Sequence, residues 1–181
     1  MKKFVVLLRG INVGGGNKIK MADLTKVLES KGFQQVKTYI QSGNIVFLSE
    51  LERPKMVSEI VSYAIKEAFD LKIPAIVFDE DSYVTMVEAE DWAAFDDFDS
   101  KKAYYTFFNE APENSSSIDG SVFVPDVFKI EGAIGYLYLP NGAGRTKLTN
   151  LYLEKLTKKI ATTRNYNTTH KMVELLSEIE D

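Results

Sequence analysis

The 181-residue chain contains no cysteine, one histidine (His170) and one tryptophan (Trp92). The first absence excludes disulfides and thiol chemistry. With a lone histidine there is also no Cys/His cluster to hold zinc, and no metal site is expected. No apolar run approaches the ~20 residues of a membrane-spanning helix, so no membrane partner is expected. MKKFVVLLRG imitates a signal peptide, but only the five residues Phe4–Leu8 precede Arg9. A secretory core needs roughly 7–15. The expectation is a cytoplasmic protein that is not exported. Familiar site signatures are missing too. Gly10-x4-Gly15 is followed by Gly16-Asn17 instead of Lys-Ser/Thr, which fails the phosphate-loop pattern, and no Gly-x-Gly-x-x-Gly occurs. There is no EF-hand spacing and no Gly-x-Ser-x-Gly elbow.

Net charge is small but unevenly placed. The net charge is −4, yet residues 79–99 hold nine carboxylates and no lysine or arginine. Outside that stretch 22 basic residues face 17 acidic ones, and residues 141–171 carry seven lysines or arginines against Glu154 alone. A sequence pI near 5.2 argues against a general nucleic-acid coat, whose domains usually sit above about 9. A local basic surface facing an anion stays open.

The hydrophobic pattern of residues 1–79 gives a clear element order. Phe4–Leu8 is a continuous apolar run, the mark of a strand buried on both faces. Met21, Leu24, Val27 and Leu28 share a helical face, with Gly32 at the C-cap position. VKTYI and NIVFL flank Gln41-Ser42-Gly43, a strand pair closed by a short turn. Pro54 starts a long amphipathic helix, and PAIVF (74–78) is a further strand. The order βαββαβ predicts a ferredoxin-like plait over 1–79. An acidic connecting segment follows over 80–100, with a short helix at Asp81–Glu90. The remainder, 101–181, reads as a second, smaller α+β subdomain. Its strands fall at 103–109, 127–130 and 134–140, and two helices end the chain. One carries Leu148, Leu151, Tyr152, Leu156 and Ile160, the other Met172, Val173, Leu176 and Ile179. The class is α+β, with the topology of the second half open.

Two polar constellations are candidate sites. The first is LRGINVGGGNKIK. In a plait the C-terminal end of strand 1 lies beside the N-terminal end of strand 3, so this loop should meet the Ser42-Gly43-Asn44 turn. It also enters a helix N-terminus, where free amides and the helix dipole favour an anion. Arg9, Asn12, Gly14, Gly15, Gly16, Asn17, Lys18, Ser42, Gly43 and Asn44 are the candidate ligand-binding residues, with Lys20 adding charge. The plain alternative is a mobile loop beside an ordinary hairpin turn. The second constellation is GAGRTKLTN with ATTRNYNTTHK, where Arg145, Lys147, Arg164 and Asn165 could grip a phosphate or carboxylate. Its plain alternative is helix capping by threonine and asparagine. The ordinary role for His170 is a surface or capping one.

These motifs, LLRGINVGGGNKIKM, TYIQSGNIVF, GRTKLTN and TTRNYNT, resemble the bacterial family known as domain of unknown function 1697, from Phe4 to about Leu176. The resemblance implies a soluble bacterial protein with a ferredoxin-like N-terminal part and marks the four motifs as hallmarks. It implies no activity, so catalytic residues, cofactor and substrate stay unknown. Three functions are left. The favoured one is binding, or transfer chemistry on, a phosphorylated or other anionic small molecule such as a nucleotide, at the glycine loop near the expected inter-domain cleft, with Arg145, Lys147, Arg164 and Asn165 closing in from the second half. The others are a protein-interaction module and a weak single-stranded RNA binder. RNA readout is disfavoured, because GNIVFLS lacks the spaced aromatics of RNA-recognition strands.

Overall fold

The computed structural model describes residues 1–89, 92, 98–115 and 118–180. They form a mixed α+β chain with two four-stranded antiparallel sheets and five helices. It divides into two compact units, residues 1–85 with 171–181, and residues 86–170.

In the first unit, β1 (Lys2–Leu8), α1 (Met21–Ser30), β2 (Gln34–Tyr39), β3 (Asn44–Ser49), α2 (Pro54–Phe69) and β4 (Ala75–Asp79) follow in order. The sheet order is β2-β3-β1-β4, with β1 antiparallel to both neighbours. Continuous apolar sequence makes β1 and β3 the central pair, and all six residues of β3 are buried. Phe4, Val6, Ile45 and Phe47 on one face pack with Leu24 and Leu28 of α1 and Val57, Val61 and Ile65 of α2. Val5, Leu7 and Val46 on the other face are fully buried as well.

The helix ends follow from local chemistry. Gly32 takes φ +90°, and its N–H donates to Glu29 while the Phe33 N–H reaches Leu28 O. This paired closure needs a left-handed residue, which glycine adopts without a Cβ penalty. The phenyl ring of Phe33 then stacks on Phe47 at 4.2 Å. The bulged edge strand β2 is clamped by the C-terminal residues. The Gln35 amide donates to Glu180 O at 2.7 Å and accepts from Glu180 N at 3.1 Å. That occupies an edge which would otherwise offer free backbone groups. Helix α3 (Glu80–Glu88) follows β4, close to where the acidic sequence predicts one. The end of that segment lies partly outside the described residues, as does Glu90.

The second unit holds β5 (Ala103–Phe108), β6 (Val127–Glu131), β7 (Ile134–Tyr138), α4 (Asn150–Thr157) and β8 (Ala161–Asn165). Its order, β6-β7-β5-β8, repeats the pattern of the first sheet: second, third, first, fourth. Where the first unit has α1, the described residues between β5 and β6 include turns and a short 3-10 helix, Gly120–Phe123. One face of the sheet packs Phe108, Leu137 and Ala161 against Leu148 and Leu153. The ATTRN segment is a strand rather than the run-up to a helix, paired along β5 from Tyr104↔Asn165 to Phe108↔Ala161. Helix α5 (Tyr166–Ser177) begins directly after it.

Candidate functional site

Strand β1 runs out at Leu8, whose N–H donates to Gly43 O at 2.8 Å, while the Arg9 N–H donates to Pro74 O. The chain then enters the glycine loop. Gly10, Asn12, Gly14, Gly15 and Asn17 all have φ between +47° and +81°. Glycine and asparagine are the residues that tolerate this region, which explains the composition of the loop. Ile11 and Ile19 are buried and pin its two ends to the core.

Asn12 is the staple. Its Oδ1 accepts from Ile19 N at 2.9 Å, and its Nδ2 donates to Ile19 O at 2.9 Å and to Gln41 O at 2.7 Å. Asn17 ties the loop to its own start by donating to Gly10 O. Loop and turn therefore lie side by side. The turn is equally constrained, because fully buried Asn44 donates from Nδ2 to Tyr39 O and to Ser42 Oγ. A Cβ on Gly43 would stand 2.6 Å from Leu8 Cβ and 2.9 Å from Ile11 Cδ1. Asn12, Asn17, Asn44 and Gly43 thus fix the loop and the turn.

Beside the loop is a pocket of about 610 Å³. Asn12, Gly15 and Gln41 contribute its polar wall, Ile19 and Phe69 its apolar wall, and Lys18, Lys20 and Asp23 its charges. Helix α1 begins here without a side-chain cap, its N-cap being Lys20. Such a start leaves its first amides to solvent or a ligand. Asp23 stands in the first turn and already satisfies the helix dipole. An anion is therefore better placed on the Lys18, Lys20 and Gly15 side than on the helix axis. Of the loop and turn candidates, Asn12, Gly15 and Lys18 line the pocket; Arg9, Gly14, Gly16, Asn17, Ser42, Gly43 and Asn44 are not among its lining residues.

The remaining candidates belong to the second unit and do other work there. Arg145 and Lys147 are exposed ahead of α4, whose N-cap Thr149 accepts from Tyr152 N. Thr146 Oγ1 donates to Asp126 at 2.6 Å. Asn165 Oδ1 accepts from Thr168 N at 2.8 Å, holding the start of α5. Arg164 is buried in β8, donating to Thr162 Oγ1 at 2.8 Å and to Thr163 O at 3.0 Å. It pairs across from Tyr105, whereas α4 packs on the face of Phe108 and Ala161. The two arginines are not brought onto one face.

Sequence reasoning misses Ile19 within the loop and three pocket residues beyond it, Asp23, Gln41 and Phe69. Each of the three comes from a separate segment, and only Gln41, next to the Ser-Gly-Asn turn, carries a local hint. It also misses a buried chain of aromatic polar groups. Trp92 Nε1 donates to Tyr105 Oη at 2.8 Å, and Tyr105 Oη meets His170 Nε2 at 3.1 Å. The His170 ring lies 4.0 Å from that of Tyr166. The single histidine is therefore bound into an aromatic cluster.

A family model described as "Protein of unknown function (DUF1697)" matches residues 1–136. The chain belongs to that family. The glycine loop, the Ser-Gly-Asn turn and the pocket all fall within the part matched to DUF1697, and the family description assigns them no activity. A solved structure described as a conserved bacterial protein from Streptococcus pneumoniae is similar, with a TM-score of 0.72 at 23% identity. The similarity covers 97% of this chain and 98% of that one, and at this identity it is a likeness of fold. No curated protein matches the chain.

Proposed function

We propose that this DUF1697 protein binds a small anionic organic molecule, a phosphorylated one foremost, in the pocket beside its glycine loop. The observation that carries this reading is the wall of that pocket. Lys18 and Lys20 reach it from a loop opened by positive-φ glycines, next to a helix start that no side chain caps. Charge-assisted hydrogen bonds from lysine and backbone N–H groups are the strong contacts for a phosphate. Ile19 and Phe69 take the apolar body that mere inorganic phosphate lacks, and a volume near 610 Å³ falls in the range of small-molecule sites. The Ser42–Asn44 turn lies beside the loop, joined to it through the Asn12 Nδ2 hydrogen bond to Gln41 O. As for architecture, the βαββαβ order and antiparallel β2-β3-β1-β4 sheet support reading the first unit as a ferredoxin-like plait.

Thermal unfolding with pyrophosphate, sugar phosphates and nucleotides tests the proposal. A ligand at about a hundred times its Kd should stabilise by roughly 2.7 kcal/mol. For a chain of this length that is a rise of about 5–10 °C. The rise disappears in the Lys18→Gln/Lys20→Gln variant. A rise that survives that double change places the ligand elsewhere and refutes the proposal.

A second reading, an interaction surface, draws on one observation in the second unit. Val122 (63%), Val124 (76%), Leu151 (73%) and Tyr152 (40%) are exposed, and the Phe123 ring meets that of Tyr152 at 5.9 Å. Arg145, Lys147, Lys155 and Lys158 are exposed on the same stretch. The partner that suits both features is an acidic segment carrying apolar side chains. A synthetic amphipathic peptide of glutamate and leucine should bind the native chain and fail to bind Leu151→Glu.

A further inference from the structure

We propose that the ligand of the glycine-loop pocket is a guanine nucleotide, an inference that rests on the anion reading above. The pocket presents charges of both signs. Among the described residues, Lys18, Lys20 and Asp23 make no ion pair or side-chain hydrogen bond, although all three line the pocket. Several other lysines of this unit hold carboxylates, as Lys31 holds Glu67 at 2.6 Å and Lys37 holds Glu178 at 3.2 Å. A bare anion would satisfy the lysines but be repelled by Asp23. A bare cation would face the reverse conflict. The molecule that answers all three groups carries a negative end and, apart from it, a pair of hydrogen-bond donors.

The apolar part of the lining narrows the choice. Ile19 and Phe69 offer a surface for a flat ring rather than a second polar contact. An ionised carboxylate only accepts, and its two oxygens match two parallel N–H donors. Guanine supplies that pair from its ring N1–H and its 2-amino group. Adenine offers an acceptor beside its single amino donor on the corresponding edge, so one Asp23 oxygen would meet a lone pair. Gly15, at φ +81° and with no atom within 4 Å of an added Cβ, leaves the backbone open to a phosphate held by Lys18 and Lys20.

Calorimetric titration of the full chain with guanosine, inosine and adenosine monophosphates and with pyrophosphate tests this. Inosine monophosphate keeps the ring N1–H and lacks only the 2-amino group, so it isolates one donor without any mutation. The guanine form should bind about 10-fold or more tightly than either other nucleotide, the usual discrimination of a two-point contact. Asp23→Asn should erase that preference while leaving pyrophosphate binding intact or stronger. Equal binding of all three nucleotides, abolished in Lys18→Gln/Lys20→Gln, would overturn the guanine inference and keep the anion reading. Absence of binding by every probe, pyrophosphate included, would overturn both.

Discussion

Replacing Gly43 by alanine tests the junction of loop and turn most sharply. Two costs combine there. The residue sits at φ +74°, a region that charges an L side chain about 1–2 kcal/mol. The new Cβ also stands 2.6 Å from Leu8 Cβ and 2.9 Å from Ile11 Cδ1. Ile11 can swing its terminal carbon aside, but Leu8 Cβ is fixed to the central strand. Overpacking of this kind costs about 1–3 kcal/mol. The expected total is roughly 2–5 kcal/mol, a fall in Tm of roughly 4–20 °C. Gly14→Ala is the matched control, with φ +59° and no atom within 4 Å of its Cβ. The backbone cost and the unfolded-state effect of adding a methyl are common to both variants and cancel in the comparison. Urea unfolding of the two should therefore differ in midpoint, with unchanged slope, by about 1–3 kcal/mol. Equal destabilisation within about 0.5 kcal/mol would refute the claimed clash and the packing of the turn on Leu8.

Further expectations follow from individual contacts. Asn12→Asp keeps a residue that tolerates φ +54° but turns the donor facing Ile19 O and Gln41 O into an acceptor. Amide exchange across residues 10–20 should accelerate, and anion binding should weaken; unchanged exchange at Ile19 would count against the staple. Tyr105→Phe removes the acceptor of the buried Trp92 N–H, which should cost about 1–3 kcal/mol and shift the fluorescence of this sole tryptophan. A silent spectrum with native stability would contradict the buried chain. Asp70 is held below the usual carboxylate range by its hydrogen bond and ion pair with Lys66. A depressed folded-state pKa gives stability that is present above the unfolded value of about 3.9 and is lost as pH falls through the folded value. Asp70→Asn, which keeps the left-handed cap at φ +55°, should therefore lower Tm slightly at pH 7 and not at pH 2. An equal loss at both would assign the effect to the cap.

The parts of the fold legible in sequence are those set by unbroken local signals. The apolar runs of β1 and β3 announce central strands, Gly32 and Pro54 mark helix boundaries, and the βαββαβ order brings loop and turn together. β8 was not legible because its residues look like caps. Thr163 is satisfied laterally, by Thr106 Oγ1 and Asn150 Oδ1 at 2.7 Å each, a pairing that exists only once β5 and α4 are in place. The pocket was legible by half. Its lysines and glycines are contiguous in sequence, whereas Asp23, Gln41 and Phe69 arrive from α1, the turn and the end of α2. Asparagine was the hardest residue type to read: Asn17 and Asn44 clamp backbone, and Asn12 both clamps backbone and lines the pocket.

The central claim is that the glycine loop holds an anion. The most direct measurement is a titration of isotope-labelled protein with pyrophosphate, followed by amide shifts residue by residue. Saturable shifts confined to residues 13–23 and Gln41, and absent in Lys18→Gln/Lys20→Gln, are the predicted result. Shifts centred on Arg145 and Arg164, or none at millimolar pyrophosphate, would contradict it.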